Sequence, residues 1–227
     1  MKRARLALIV VASYVGASSL LHYVVFPEPY ADASDLPRSG TTLTNDHIQS
    51  RFVLRQTALE TGGQALEVDS FISPGGGPIA FPHVHPRMRE TFTVVEGEVR
   101  FVVDGEARSV RAGSEIVVEP GKVHGFQNAS DQPAHMIARL EAAQDGPWME
   151  RAEHGLLPDS GFVQMDRAGG IGGVSPAQMI VFANRYKDVY PPAVPRWLVD
   201  VLSFLVAPTA RLFGLRVYYP APIEGAP

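Results

Sequence analysis

From Arg51 onward the chain alternates apolar and polar residues in short runs broken by turn residues. RFVLRQTAL and QALEVDSFI flank Gly62-Gly63, and the glycine-rich loop Ser73-Pro74-Gly75-Gly76-Gly77 leads into a histidine-bearing strand. TFTVVEGEVRFVVDGEARSVRAGSEIVVEP then carries turn signals at Gly97, at Asp104-Gly105 and at Gly113. Gly121 turns the chain into a strand holding His124, and His135, Ile137, Arg139 and Glu141 fall on a last alternating strand. Period-two alternation with turns every 8–12 residues predicts an all-β core of antiparallel strands over residues 51–142, closed as a barrel or stacked as a sandwich. The period changes to a helical one near the C-terminus. Ser175-Pro176 reads as a cap followed by proline at the first helical position, with Met179, Phe182, Ala183 and Tyr186 recurring on one side. Val194, Trp197, Leu198, Val201, Leu202 and Leu205 trace a second helix, which Pro208 is expected to end, with a short third helix stopping before Gly214. This stripe is expected to pack on the strand core or on a second subunit. The alternative is the membrane surface, with Arg196, Arg211 and Arg216 near lipid phosphates.

The N-terminus has a different pattern. Leu6 to Phe26 contains no Asp, Glu, Lys or Arg, and Lys2, Arg3 and Arg5 precede it. As a helix the run spans about 31 Å, close to the hydrocarbon thickness of a bilayer. Positive charge ahead of it predicts a cytoplasmic N-terminus with the strand core outside the cytoplasm. A cleaved secretory signal is the competing reading, with Ala31-Asp32-Ala33 as a small-x-small site, which would leave the mature protein secreted or periplasmic. The run exceeds the usual apolar length of such signals, which favours a retained membrane anchor. A buried soluble helix is the third reading. The domain plan is therefore 1–30 anchor or signal, 31–50 linker, 51–142 strand core, 143–174 loop-rich connection and 175–227 helical extension.

Composition narrows the chemistry. The 227 residues suffice for one core domain with extensions, and 45% are apolar against 19% charged. A net charge of −4 with no basic patch excludes a nucleic-acid surface. With no cysteine, disulfides, zinc thiolate sites and cysteine nucleophiles are ruled out. No G-x-S-x-G and no phosphate-cradling glycine loop occurs.

What remains is a metal-ligand pattern. In GPIAFPHVHPRMRETFTVVEG, residues 77–97, Gly77, His83, His85, Glu90 and Gly97 are separated by five, one, four and six residues. Histidines two apart on a strand share a face, and a carboxylate five residues later can return on the neighbouring strand. GSEIVVEPGKVHGFQN, residues 113–128, supplies a fourth candidate ligand, His124. Nitrogen and oxygen donors without sulfur suit a divalent transition metal. Fe(II) is favoured, and Mn(II), Ni(II), Cu(II) and Zn(II) remain open.

These two motifs resemble those of the cupin family. The first, G-x5-H-x-H-x3/4-E-x6-G, is matched at every fixed position. In the second, G-x5-P-x-G-x2-H-x3-N, Gly113, Gly121, His124 and Asn128 match, but Glu119 stands at the proline position and Pro120 follows it. The resemblance covers roughly residues 50–142. It implies a small antiparallel, jelly-roll-like β-barrel holding a metal through His83, His85, Glu90 and His124, and a homodimer by default. It further implies a metal-dependent dioxygenase acting on a small apolar or aromatic molecule, with a ligand-sensing module on the membrane or an isomerase as alternatives. Alternation suggests Phe81, Phe92, Val94, Phe101 and Phe126 as cavity lining. Arg87 and Arg89 lie where they could meet a substrate carboxylate but read as solvated loop charges, and His47, His135 and His154 as surface or structural residues.

Overall fold

The computed structural model describes residues 2–25, 37–78, 82–143, 168–169, 171–186 and 194–217. Ten strands form the core: β1 Thr42–Asn45, β2 Ser50–Gln56, β3 Ala65–Ile72, β4 His83–Val84, β5 Met88–Glu96, β6 Glu98–Val103, β7 Glu106–Arg111, β8 Glu115–Val118, β9 Val123–Gln127 and β10 Ala134–Ala142. Every pairing is antiparallel. One sheet runs β1-β2-β3-β10-β5-β8 and the other β4-β9-β6-β7. The all-β core is therefore as expected, but its ladders make two separate antiparallel sheets rather than one closed barrel. β1 is an addition, because it lies within the stretch expected to be linker.

Alternation decides which face is inside. Leu66, Val68, Ser70 and Ile72 on β3, Glu90, Phe92 and Val94 on β5, and Met136, Ala138 and Leu140 on β10 are all buried, while their neighbours are more exposed. From the second sheet Val99, Phe101 and Phe126 join this interior. Leu54, Ala58, Leu66, Val68, Met88 and Leu140 pack at the other end. Burying an apolar side chain stabilises by roughly 1.5–3 kcal/mol, so these clusters hold the strands in register.

Two glycines show why the backbone cannot vary here. Gly77 has φ +112°, and a Cβ on it would lie 2.7 Å from the Phe126 carbonyl oxygen. Gly97 has φ +78°, and its Cβ would meet the Pro133 oxygen at 2.9 Å. Both positions need the left-handed region and a close backbone approach that only glycine tolerates.

Three helices complete the described residues. α1, Lys2–Leu20, continues into a π-helical turn, Leu21–Val25. The two together are long and apolar enough to cross a membrane by length and composition, a property that N-terminal signal sequences share. α2, Pro176–Arg185, begins as its sequence predicts: Ser175 caps it, accepting from the Gln178 N–H, with proline in the first turn. α3, Arg196–Leu212, corrects one expectation: it runs through Pro208 without ending there. Its buried face is Ser203, Ala207 and Ala210, while Trp197, Val201 and Leu202 stay exposed. Ala207 and Ala210 join Val181 and Phe182 of α2 in a small cluster.

Candidate metal centre

The first motif delivers its histidines through a very short strand. β4 pairs with β9 so that His83 lies directly opposite His124. His85 follows β4, where its carbonyl accepts from the Gly121 N–H at 2.9 Å. The second motif's glycine thus clamps the end of the first motif's strand. Glu90 arrives from the other sheet, on β5, flanked by Val118 of β8 and Leu140 of β10. Its side chain points inward because it shares the buried face of Phe92 and Val94.

The four side chains converge. One ligand atom from each of His83, His85, Glu90 and His124 lies within 4.8 Å of the others. The three imidazole centroids stand 4.4–5.3 Å apart. His85, Glu90 and His124 are buried, and His83 is half-buried. His124 Nε2 is 2.8 Å and His85 Nε2 3.5 Å from Glu90 Oε2. Donors held about 2.1 Å from one ion sit roughly 3.0 Å apart when adjacent and roughly 4.2 Å when opposite, so the cluster has the dimensions of a metal's coordination sphere.

Proton positions sharpen this. His124 Nδ1 is 3.1 Å from the Lys122 carbonyl oxygen. A carbonyl only accepts, so Nδ1 carries the hydrogen. In neutral imidazole, Nε2 then presents a lone pair, and it presents it to a carboxylate oxygen at 2.8 Å. Two acceptors at that distance require a cation between them, either a proton or a metal ion. Without metal the proton takes the place. Burial alone would raise Glu90, but the His124 hydrogen bond and the charges of His85, His124 and His83 outweigh it and hold the carboxyl down to about 2. Burial likewise opposes charge on His124, yet the Glu90 bond and charge raise its pKa above the usual histidine value. The donor set therefore fits a divalent cation.

The surrounding residues are sorted differently from the sequence expectation. Phe92, Phe101 and Phe126 pack on one another with centroids 5.0–5.9 Å apart, and Phe92 presents an edge to His124 at 6.3 Å. With Val94 they fill the interior beneath the ligands. Phe81 and His154 lie outside the described residues. Arg89 pairs with Glu119 on the surface at 3.0 Å. His135 bonds Asp69 at 2.6 Å and stacks on Phe71, far along the sheet from the ligands. Asn128, noted only as a motif position, is fully buried. Its amide donates to the Ile72 and Gln132 carbonyls, and its side-chain oxygen accepts from the Ser130 N–H and hydroxyl. The Asn-x-Ser spacing is a turn signal that could have revealed this knot.

Residues 70–139 match the family model described as Cupin domain. Among curated proteins, Germin-like protein 5-1 of Oryza sativa subsp. japonica is 35% identical over 92 residues, covering 37% of this chain and 38% of that protein. A Probable oxidoreductase patJ of Penicillium expansum is 32% identical over 127 residues, covering 51% of this chain and 38% of its own. The chain thus spans under half the length of these relatives. Among solved structures, a sugar phosphate isomerase of the cupin superfamily from Silicibacter pomeroyi aligns at 21% identity with a TM-score of 0.38, over 50% of this chain and 75% of that one.

Proposed function

We propose that His83, His85, Glu90 and His124 hold a divalent transition metal, with Fe(II) favoured, and that the protein is a metal-dependent oxygenase of a small molecule; the match of residues 70–139 to the Cupin domain family model supports this reading. The observation that carries the reading is the pair of lone pairs, His124 Nε2 and Glu90 Oε2, facing each other at 2.8 Å inside a four-donor cluster. Such an ion supplies Lewis acidity and a template on which dioxygen and substrate meet.

Each residue of the chain has a definable part. The Lys122 carbonyl fixes the His124 tautomer so that Nε2 faces inward, the second-shell role that orients metal-bound histidines. Glu90 supplies the one carboxylate of the set and would offset one positive charge of the ion. The Phe92–Phe101–Phe126 cluster closes the interior side to water. His83, the half-buried ligand, marks the side from which a substrate approaches. Three imidazoles and one carboxylate would hold the ion without enclosing it, which would leave it free to bind a further ligand, as oxygenase chemistry requires. A relative named as a probable oxidoreductase agrees with this choice. The apolar N-terminal helix with Lys2, Arg3 and Arg5 at its start supports a domain tethered to the membrane outside the cytoplasm, with secretion after signal cleavage as the alternative, and the family resemblance supports a homodimer.

Protein purified without chelator should contain about one transition metal per chain, and His85→Ala should release it. Oxygen uptake should follow on some member of a panel of phenols, thiols and keto acids. Absence of metal from both proteins, with unchanged stability on substitution, would refute the metal site. Turnover without oxygen would replace the oxygenase by an isomerase, and a ligand-induced melting shift without turnover would replace it by a binding module.

A further inference from the structure

Towards its two ends α3 carries apolar residues that the described protein leaves exposed. Trp197 is 66% exposed, Val201 45% and Leu212 55%. Their spacings of four and eleven residues return to nearly the same side of a helix. Leu202 and, just past the helix end, the 81% exposed Phe213 extend the patch. The opposite face is taken by α2, through Ser203, Ala207 and Ala210.

The neighbour on the remaining side is α1. The Tyr14 hydroxyl donates to the Leu205 carbonyl at 2.8 Å and the Ser18 hydroxyl to the same oxygen at 3.3 Å. Tyr23 in the π-turn meets Phe204, ring centroids 6.3 Å apart. The middle of α3 therefore rests on the second half of α1. That helix exposes Leu6, Leu8, Ile9, Val10 and Val11, and Ser18 is its buried residue. A helix so apolar and so exposed needs apolar surroundings, and a helix resting on it shares them.

We propose that the exposed face of α3 docks on the lipid bilayer beside α1, so that the helical extension is a second membrane contact. This rests on reading α1 as a membrane span. The charges agree. Arg196 and Asp200 pair at 3.5 Å at the start of α3, and Arg211 is turned inward, donating to the Asn184 side chain, instead of facing phosphates. The apolar stripe is thus free of unpaired charge over its length, and Trp197 stands at one end, as tryptophans do at membrane interfaces. Tyr14 and Ser18 lie near the middle of the apolar run Leu6–Phe26, so a spanning α1 carries this contact into the hydrocarbon, where the exposed apolar residues of α3 meet acyl chains.

The chain has two tryptophans, so Trp148→Phe leaves Trp197 as the sole reporter in the full-length protein. Reconstituted in phosphatidylcholine–phosphatidylglycerol vesicles, its fluorescence should fall about twofold or more when the phosphatidylcholine is brominated on its acyl chains. Val201→Asp, at an exposed site, should weaken that quenching without loss of helical circular dichroism. Unquenched Trp197 in protein that survives an alkaline carbonate wash overturns the α3 proposal and leaves the α1 span standing. Release by that wash of protein quenched beforehand overturns the span and keeps α3 as a lipid contact. Unquenched and released protein overturns both.

Discussion

At the residue scale the site was legible because its chemistry is spelled in side chains. His83, His85, Glu90 and His124 were singled out by residue type and spacing together with the resemblance to the cupin motifs, and all four meet in space. What orients them was not legible. The Lys122 carbonyl that sets the His124 tautomer is backbone, and backbone leaves no mark on composition. The pKa shifts give a pH signature for the metal-free protein. A carboxyl held at about 2 contributes stability above its ordinary value near 4.5, and that contribution is lost as pH falls from there through about 2. His124, raised above 6.5, contributes below 6.5, and its part is lost as pH rises through the raised value. Thermal melts with chelator should therefore show a stability maximum between these limits, and Glu90→Gln should flatten both flanks. Arg89→Ala removes a pair that is about half exposed on each side, so its effect on stability should stay within roughly 1 kcal/mol in urea titrations.

At the scale of elements, periodicity located the strands well because one face of each is buried. It failed where a length or a neighbour decided the outcome. β1 is four residues long, too short for alternation to stand out among prolines and charges. Pro208 was expected to stop its helix, yet α3 continues to Leu212, with Pro208 itself buried. Packing outweighs the lost hydrogen bond there, a choice visible only once α2 is in place. Turn geometry makes sharper predictions. Gly77→Ala must drive a methyl against the Phe126 carbonyl at a positive φ. It should cost more than about 1 kcal/mol, seen as a lower denaturation midpoint, and should weaken metal retention. Asn128→Ala leaves buried carbonyls of Ile72 and Gln132 without their donor. A loss of roughly 1–3 kcal/mol is expected, measurable in the same titration, with the metal ligands untouched.

At the scale of the whole molecule, the antiparallel core and the helical extension followed from the change of period along the chain, while the pairing into two sheets did not, since strand order is set by contacts between distant residues. What covers the apolar stripe of α3 was left open between several partners for a related reason: an apolar stripe says that something apolar covers it but not what. The origin of the four donors has one more consequence. Glu90 belongs to the six-stranded sheet, whereas His83 and His124 belong to the four-stranded one. An ion bound among them would be a clasp fastening two layers that side-chain packing and links such as the Asn128–Ile72 hydrogen bond also join. Thermodynamic linkage then makes occupancy and cohesion one quantity: at a hundredfold excess over Kd the loaded protein should resist unfolding by about 2.7 kcal/mol more than the stripped one. Scanning calorimetry with stepwise metal additions would reveal it as a progressive upward march of the transition, and hydrogen exchange would slow first along β4 and β9, where the clasp engages.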